Sequence, residues 1–366
     1  MHPGGRATIG AAEDSCILPT DKAAPTHQVT QKPHSRHERL FFDITESTLS
    51  GNFAAFANTN APPEAAKTEA FSADLTPVPA AMPMAKANSS DPAASAAKRI
   101  LHQGVCYAEV DIDGVPALWC VPTDCDVNRV LRDAHGGGTV LFSMHLDRKA
   151  VGHIAKAAGA RALVLDYRRS PEHKFPAQTE DMEKAYHWLL AKGIRAENIA
   201  VTGQSIGGSL AVSLAIELRN KGVAMPAAIL SVSGWYDMEL KNDTIKGNGK
   251  NDKLLSRRIL EWFRETWLSG TDIASNDPRV NLLYADLTGL PPIQVYYGDH
   301  ELLVGEIVEF AKRAKDAGVD VDLNSVSEGQ HNFILGAGRV PEVDKAIKQM
   351  GQWLRSRLSS SKGRAA

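Results

Sequence analysis

Residues 201–210 read VTGQSIGGSL. A short apolar run ends at Gly203, a serine stands two positions later, two glycines follow, and an amphipathic run begins. Three chemistries use such a strand-to-helix corner. A dinucleotide-binding turn needs GxGxxG, but Ser205 occupies the place of the middle glycine and would hold a pyrophosphate away from the backbone. No acidic residue closes a following strand at the distance that motif requires either. A phosphate-cradling P-loop needs GK[ST], which is absent. The third is GxSxG, in which a serine sits in a strained turn and small residues two before and two after leave it room. Gly203 and Gly207 supply those positions. By itself the motif also fits an ordinary tight turn, so its partners decide.

The surrounding chain has the grammar of an α/β protein. VCYAEVDIDGVPALWCV alternates apolar and polar residues around Asp113-Gly114, a hairpin signal. Apolar runs then alternate with helical patterns. ARALVLDY (160–167) precedes a helix near Thr179 to Ala191, and NIAVTG (198–203) one near Gly207 to Arg219. PAAILSV (226–232) and PPIQVYYG (291–298) lead to a helix from about Leu302 to Ala317. VDVDLNSV is a further strand, and a last amphipathic helix runs from Pro341 to about Leu358. This alternation predicts a mainly parallel central sheet covered by helices on both faces, with its working site beyond the carboxyl ends of the strands. Residues 237–290 break the rhythm. They hold the loop-like KNDTIKGNGKND and then the helical pattern RRILEWFRETWL, and read as a helical cap or lid inserted over the strand ends. Residues 1–97, rich in Ala, Pro, Ser and Thr, read as a flexible N-terminal extension, and 98–366 as the catalytic domain.

A serine hydroxyl needs an adjacent base, and the base an orienting acid. Of twelve histidines, His2, His27, His34 and His37 lie in the irregular N-terminal region and His187 within a helical pattern. His331, in SEGQHNF, falls between the last strand and the last helix, at a strand end. Asp299 directly follows PIQVYYG and emerges at another. The order Ser205, Asp299, His331 is the one the α/β-hydrolase arrangement uses. A tetrahedral intermediate also needs donors for its oxyanion, and AHGGG (134–138) offers successive unobstructed glycine amides. The Ile206 amide after the serine would add a further donor.

Composition narrows the field. The 366 residues are 43% hydrophobic and 23% charged, with 41 basic and 43 acidic side chains. This near-neutral balance points away from nucleic acid and anionic membrane surfaces. No apolar run is long enough to span a bilayer, the N-terminus lacks the apolar core of a secretory signal, and Cys16, Cys106, Cys120 and Cys125 show neither CxxC nor metal spacing. A cytoplasmic location is the expectation, and the sparse cysteines suit a reducing compartment or an indifferent one.

His135-Gly136-Gly137-Gly138, the run DYRRSPEHKFPAQTED (166–181), GQSIGG around Ser205, GDHELL around Asp299 and GQHNF around His331 together resemble the hormone-sensitive-lipase-like branch of the α/β hydrolases. These are bacterial esterases that include lactone hydrolases. The likeness spans roughly Val105 to Leu358. It implies the α/β-hydrolase fold and hydrolysis of a small ester or lactone through an acyl-serine intermediate, with no cofactor and no metal. Ser205 would be the nucleophile, His331 the base and Asp299 its orienter. Gly136, Gly137 and Ile206 would donate amides, His135 would shape the oxyanion loop, and Glu172 and His173 would tie the 166–176 loop down. Five positions depart from the pattern. Thr139 stands where an aromatic is usual, Arg132 and Asp133 charge a strand expected to be apolar, Gln204 replaces a common acidic residue, and Ile206 a small one. Trp235, Trp262, Phe263 and Trp267 are candidates for an apolar pocket. A receptor-like binder that uses the same pocket without chemistry is the rival reading. An amidase or thioesterase would share the machinery, and the oligomeric state, a homodimer included, is left open.

Overall fold

The structure, a computed structural model, describes residues 100–102 and 104–359. The N-terminal extension predicted for 1–97 lies outside the described residues. Asp113 and Gly114 both have positive φ, 49° and 94°, the conformation that lets a two-residue loop follow the strand twist. They join β2 (Val105–Ile112) to β3 (Val115–Pro122), and the Gly114 amide donates to Asp111 Oδ1 at 2.8 Å. β1 (Ile100–His102) pairs antiparallel to β2. The remaining strands are mutually parallel: β4 (Asp126–Ala134), β5 (Ala160–Leu165), β6 (Ile199–Gln204), β7 (Ala228–Val232), β8 (Ile293–Gly298) and β9 (Val321–Val326). The nine-stranded order is β1-β2-β3-β5-β4-β6-β7-β8-β9. Every residue of β5, β6 and β7 is buried, which is why they read as unbroken apolar runs and not as alternation.

Among the described residues, five longer helices pack on the sheet, α1 (Met144–Ala158), α2 (Ala177–Ala191), α3 (Ile206–Asn220), α5 (Val304–Asp316) and α6 (Pro341–Arg357), while α4 (Arg257–Leu268) lies in the 237–290 insertion. α1 and α6 share one face, where Ile154, Ala155, Ile347 and Met350 join Leu131, Val164 and Leu230 in one core. α2 packs on α3. Helix α1 is absent from the sequence-based expectation. Its buried Met144, Asp147, Val151, Ile154, Ala155 and Ala158 follow helical spacing, but Asp147 in the stripe and Gly152 at its centre blur the apolar signal. Topology could have supplied it, because adjacent parallel strands need a crossover of a dozen residues or more.

Strand β4 carries the two unexpected charges. They point to opposite faces, as period two demands. Arg132, fully buried, reaches the Met182 sulfur of α2, and burial pushes its guanidinium down to about 9 against the opposing pull of Asp133. Asp133 faces α1 and accepts from Thr202 Oγ at 2.6 Å. The chain runs from β4 to β5 on one side and then back to β6 on the other, so β4 and β6 end side by side with Ala134 opposite Gly203. This reversal opens the crevice in which such sheets place their sites.

Within 237–290 the main element is α4, capped by Ser256 Oγ, which accepts from the Ile259 amide at 3.3 Å. Leu260, Phe263, Trp267 and Leu268 form its buried stripe. Trp267 Nε1 donates to Gln178 Oε1 at 2.9 Å and so ties α4 to the start of α2. The 166–176 loop is held otherwise than expected, since Glu172 and His173 are exposed. Gln178 Nε2 donates to the Arg168 and His173 carbonyls at 2.8 and 2.6 Å, and Arg168 pairs with the buried Asp181 at 2.9 Å. A polar side chain inside the fold, not one at the tip of the loop, satisfies the loop's backbone. Cys120 and Cys125 are free thiols, and Cys106 is disulfide-bonded. Among the described residues no helix is long and apolar enough to cross a membrane.

Candidate active site

The corner at 201–210 is a strained elbow. Ser205 has φ 54° and ψ −128°, a conformation that costs a non-glycine residue on the order of 1–3 kcal/mol and persists only where its surroundings enforce it. A Cβ on Gly203 would collide with the Gly207 carbonyl, and one on Gly207 with the Ala134 carbonyl. The two glycines therefore exist for close backbone approach, between the turn's own arms and against the end of β4. The Ser205 amide donates to the Val232 carbonyl at 2.9 Å, and the Ser205 carbonyl accepts from Gly208 and Trp235 at 3.0 and 3.2 Å. Ser205 itself is 7% exposed. Ile206 opens α3, so its amide is among the unpaired donors at a helix N-terminus, where the dipole favours negative charge.

His331 comes to this serine from a sequence distance of 126 residues: its Nε2 lies 3.0 Å from Ser205 Oγ. Its Nδ1 lies 2.7 Å from a carboxylate, and that carboxylate is Glu301, not Asp299. Asp299 is exposed, and its nearest ionic neighbour is His300 at 4.0 Å. The reason is local. The Asp299 amide continues the pairing with β9 by donating to the Val326 carbonyl at 3.1 Å, and the His300 amide donates to the Gly329 carbonyl at 3.1 Å. The chain then turns, with the Glu301 amide donating to the Gly298 carbonyl at 3.2 Å and Glu301 Oε1 accepting from the Gly298 amide at 3.1 Å. That turn folds Glu301 inward beneath His331. Burial pushes its carboxyl up, and the facing His331 and Ser233 favour the ionised form. Both acids sit in GDHELL, so a strand-end criterion alone does not distinguish them.

The glycine loop after β4 lies against the elbow. A Cβ on Gly136 would stand 3.2 Å from the Ser205 Cβ, Gly137 and Gly138 adopt φ of 97° and 62°, and a Cβ on Gly138 would enter the Phe263 ring. The Gly137 carbonyl turns away from the site to accept from Val140 and Leu141 at 3.0 and 2.8 Å. His135 is fully buried beneath the loop, stacked on Tyr167 with ring centroids 4.1 Å apart. Its Nδ1 meets the Gly136 carbonyl at 2.7 Å, and Tyr167 donates to the His135 carbonyl at 2.8 Å. Burial pushes the His135 imidazole down to about 4, so near neutral pH it is an uncharged support. Asp147 of α1 is fully buried, and burial pushes its carboxyl up to about 8. Of the aromatic candidates, Trp235 packs beside the elbow and Phe263 lies 6.5 Å from it, centroid to centroid. Trp262 packs on Phe263, and Trp267 turns instead toward Gln178 and Phe175. Among the described residues no cluster of three His, Cys, Asp or Glu side chains has the arrangement of a metal site.

A strained serine touching a histidine that touches a buried carboxylate, beside a glycine loop and a helix N-terminus, can make and break an acyl bond. Comparison with known proteins agrees. A family model for the alpha/beta hydrolase fold matches residues 132–335. The chain is 33% identical over 247 residues to an acetyl-hydrolase of Streptomyces hygroscopicus, covering 68% of this chain and 82% of that one. It is 28% identical over 236 residues to an esterase of Acinetobacter venetianus, covering 64% and 78%. Among solved structures, an esterase from the bacterial hormone-sensitive lipase family superposes with TM-score 0.69 at 37% identity, over 71% of this chain and 87% of that one.

Proposed function

Because the chain belongs to the α/β-hydrolase fold family, on its hormone-sensitive-lipase-like branch of esterases, we propose that it hydrolyses short- to medium-chain carboxylic esters or lactones with Ser205 as nucleophile. In this reading His331 is the general base and Glu301, in the place expected for Asp299, holds and balances the histidine. The observation that carries it is the continuous contact from Ser205 Oγ through His331 to Glu301, 3.0 and 2.7 Å.

As Ser205 Oγ bonds to the carbonyl carbon, its proton passes to His331 Nε2, and the carbonyl electron pair moves onto oxygen. The amides of Gly136, Gly137 and Ile206 would face that oxyanion. Collapse of the adduct breaks the bond to the leaving oxygen, which takes the proton back from His331. Water then repeats the sequence on the acyl-serine, giving up a proton to His331, and release of the acid restores Ser205. Glu301 matters most while His331 carries its positive charge, because the pair is buried and water cannot screen it. Phe263 over the glycine loop and Trp235 beside the serine leave an apolar and confined acyl site, and similarity to a protein named as an acetyl-hydrolase favours small acyl groups. A pocket that only recognised its ligand would have no use for a serine held at positive φ in contact with a paired histidine.

The test is turnover of p-nitrophenyl esters from acetate to octanoate, with a lactone panel beside them. Ser205→Ala should lower kcat by about 10⁴-fold or more with the fold intact, and a fluorophosphonate should label wild type at Ser205 alone. Undiminished turnover in the alanine variant would remove the assignment.

A further inference from the structure

The turn that carries Glu301 is held by side chains of the 237–290 insertion. Helix α5 begins at Val304, and the residue before it, Leu303, has no side-chain acceptor for the free amides of the first turn. The polar stretch KNDTIKGNGKND (241–252) supplies acceptors instead. Asp252 Oδ2 accepts from the Leu302 amide at 2.8 Å, and Thr244 Oγ1 accepts from the Gly305 amide at 3.1 Å. The carbonyls of the same turn are held too. Asn248 Nδ2 donates to that of Glu301 at 2.9 Å, and Thr244 Oγ1 donates to that of Leu302 at 2.7 Å. Asn242 packs so closely that a Cβ on Gly305 would collide with its side-chain amide.

Asp252 is 6% exposed, although Asn251 and Lys253 on either side of it are exposed. Its other oxygen, Oδ1, accepts from the Leu254 and Leu255 amides, both at 2.8 Å, just ahead of the Ser256 that caps α4. One buried carboxylate therefore takes amides from the insertion and from the acid turn together, and these charge-assisted bonds offset the cost of burying it. The neighbouring Lys253 amide donates to Gln330 Oε1 at 2.8 Å, so the same segment reaches the residue before His331.

We propose that Asp252 is a positioning residue of the catalytic triad: it fastens the insertion to the Leu302 amide and so keeps Glu301, one residue earlier, turned onto His331. This rests on the hydrolase reading above. The Glu301 carboxylate meets the Gly298 amide at 3.1 Å and His331 at 2.7 Å. The backbone that aims it is held on one side by the Gly298 carbonyl and on the other by Asn248 and Asp252. A shift of about 1 Å in such a group can cost about a hundredfold in rate. The charge of Asp252 does not serve Glu301. Burial disfavours the ionised Glu301 carboxylate first, His331 and Ser233 favour it, and Asp252 works against it. What Asp252 contributes is the placement of its acceptor oxygens, which makes the insertion part of the frame of the triad as well as a wall of the acyl site.

The experiment uses the full chain as wild type, Asp252→Asn, Glu301→Ala and the double variant. It follows kcat and KM for p-nitrophenyl butyrate, melting curves, and the downfield proton NMR signal of the His331 Nδ1–H that Glu301 accepts. Asparagine keeps one oxygen for the Leu254 and Leu255 amides but sets an amide NH2 against the Leu302 N–H, so the insertion stays folded while its tie to the acid turn is lost. Its kcat should fall by about tenfold or more, with KM changed by less than about threefold and a cooperative melt retained. The NMR signal should shift or vanish. In Glu301→Ala, where no carboxylate is left to position, the same substitution should cost less than about threefold in kcat. Asn248→Ala, which removes the donor to the Glu301 carbonyl, repeats the comparison if Asp252→Asn fails to fold, with a loss of about threefold or more when Glu301 is present and a smaller one when it is not. Wild-type kcat in Asp252→Asn, an equal loss in both backgrounds, or an unmoved NMR signal overturns the proposal. If wild type hydrolyses no ester, the hydrolase reading fails, while the NMR signal still decides whether Asp252 holds Glu301 on His331.

Discussion

Glu301→Gln, set against Asp299→Asn, separates the two acids of GDHELL. Glutamine keeps the length and shape of the side chain and removes only the charge that faces His331 Nδ1 across 2.7 Å. When His331 takes the Ser205 proton, imidazolium and carboxylate centres stand about 4 Å apart; at an effective dielectric of about 20 their attraction is on the order of 4 kcal/mol. At about 1.36 kcal/mol per decade, kcat should fall by about a thousandfold. Asp299 is exposed and 4.0 Å from its nearest partner, His300, so Asp299→Asn should leave kcat within about twofold. The assay is steady-state hydrolysis of p-nitrophenyl butyrate near neutral pH, with melting curves to show that both variants are folded. A larger loss in Asp299→Asn than in Glu301→Gln would refute the reasoning, since it would mean that the loop after β8 turns the other acid inward during turnover.

Two further outcomes follow from single contacts. Phe263→Ala removes the ring that sits over Gly138; at about 0.8 kcal/mol per methylene accommodated, the ratio of kcat/KM for octanoate over acetate should rise about tenfold or more, and an unchanged ratio would place the acyl chain elsewhere. His135 is buried and its imidazole is pushed from 6.5 down to about 4. The unfolded chain therefore binds a proton that the folded chain refuses, and stability should fall by about 3 kcal/mol as pH drops from about 6.5 to 4. His135→Asn should flatten that part of the pH–stability curve, as read by denaturant unfolding, and an unaltered slope would mean that other groups carry it.

Much of this could be read along the chain, because it was written in local chemistry. Asp113-Gly114 names its own turn, since few residues other than these tolerate two consecutive positive φ values. The buried strands announce themselves by composition, and GxSxG by the space its glycines leave. The family likeness then set the order of the motifs. Helix α1 has a weak sequence signal because its inner stripe carries Asp147 and Gly152 among short apolar residues. The charged pair at 132 and 133 fits a central strand because period two sends one side chain to each face of the sheet.

The choice of acid was of another kind. Asp299 and Glu301 are both carboxylates at the end of the same strand, and no property of either residue alone selects between them. The selection is made by backbone pairing between segments remote in sequence, where the Asp299 and His300 amides are claimed by Val326 and Gly329 and the turn at Gly298 brings Glu301 under the histidine. Residue types along the chain settle which chemistry is available. Which of two equivalent groups performs it is settled by long-range hydrogen bonds, whose partners are remote in sequence and near only in the fold.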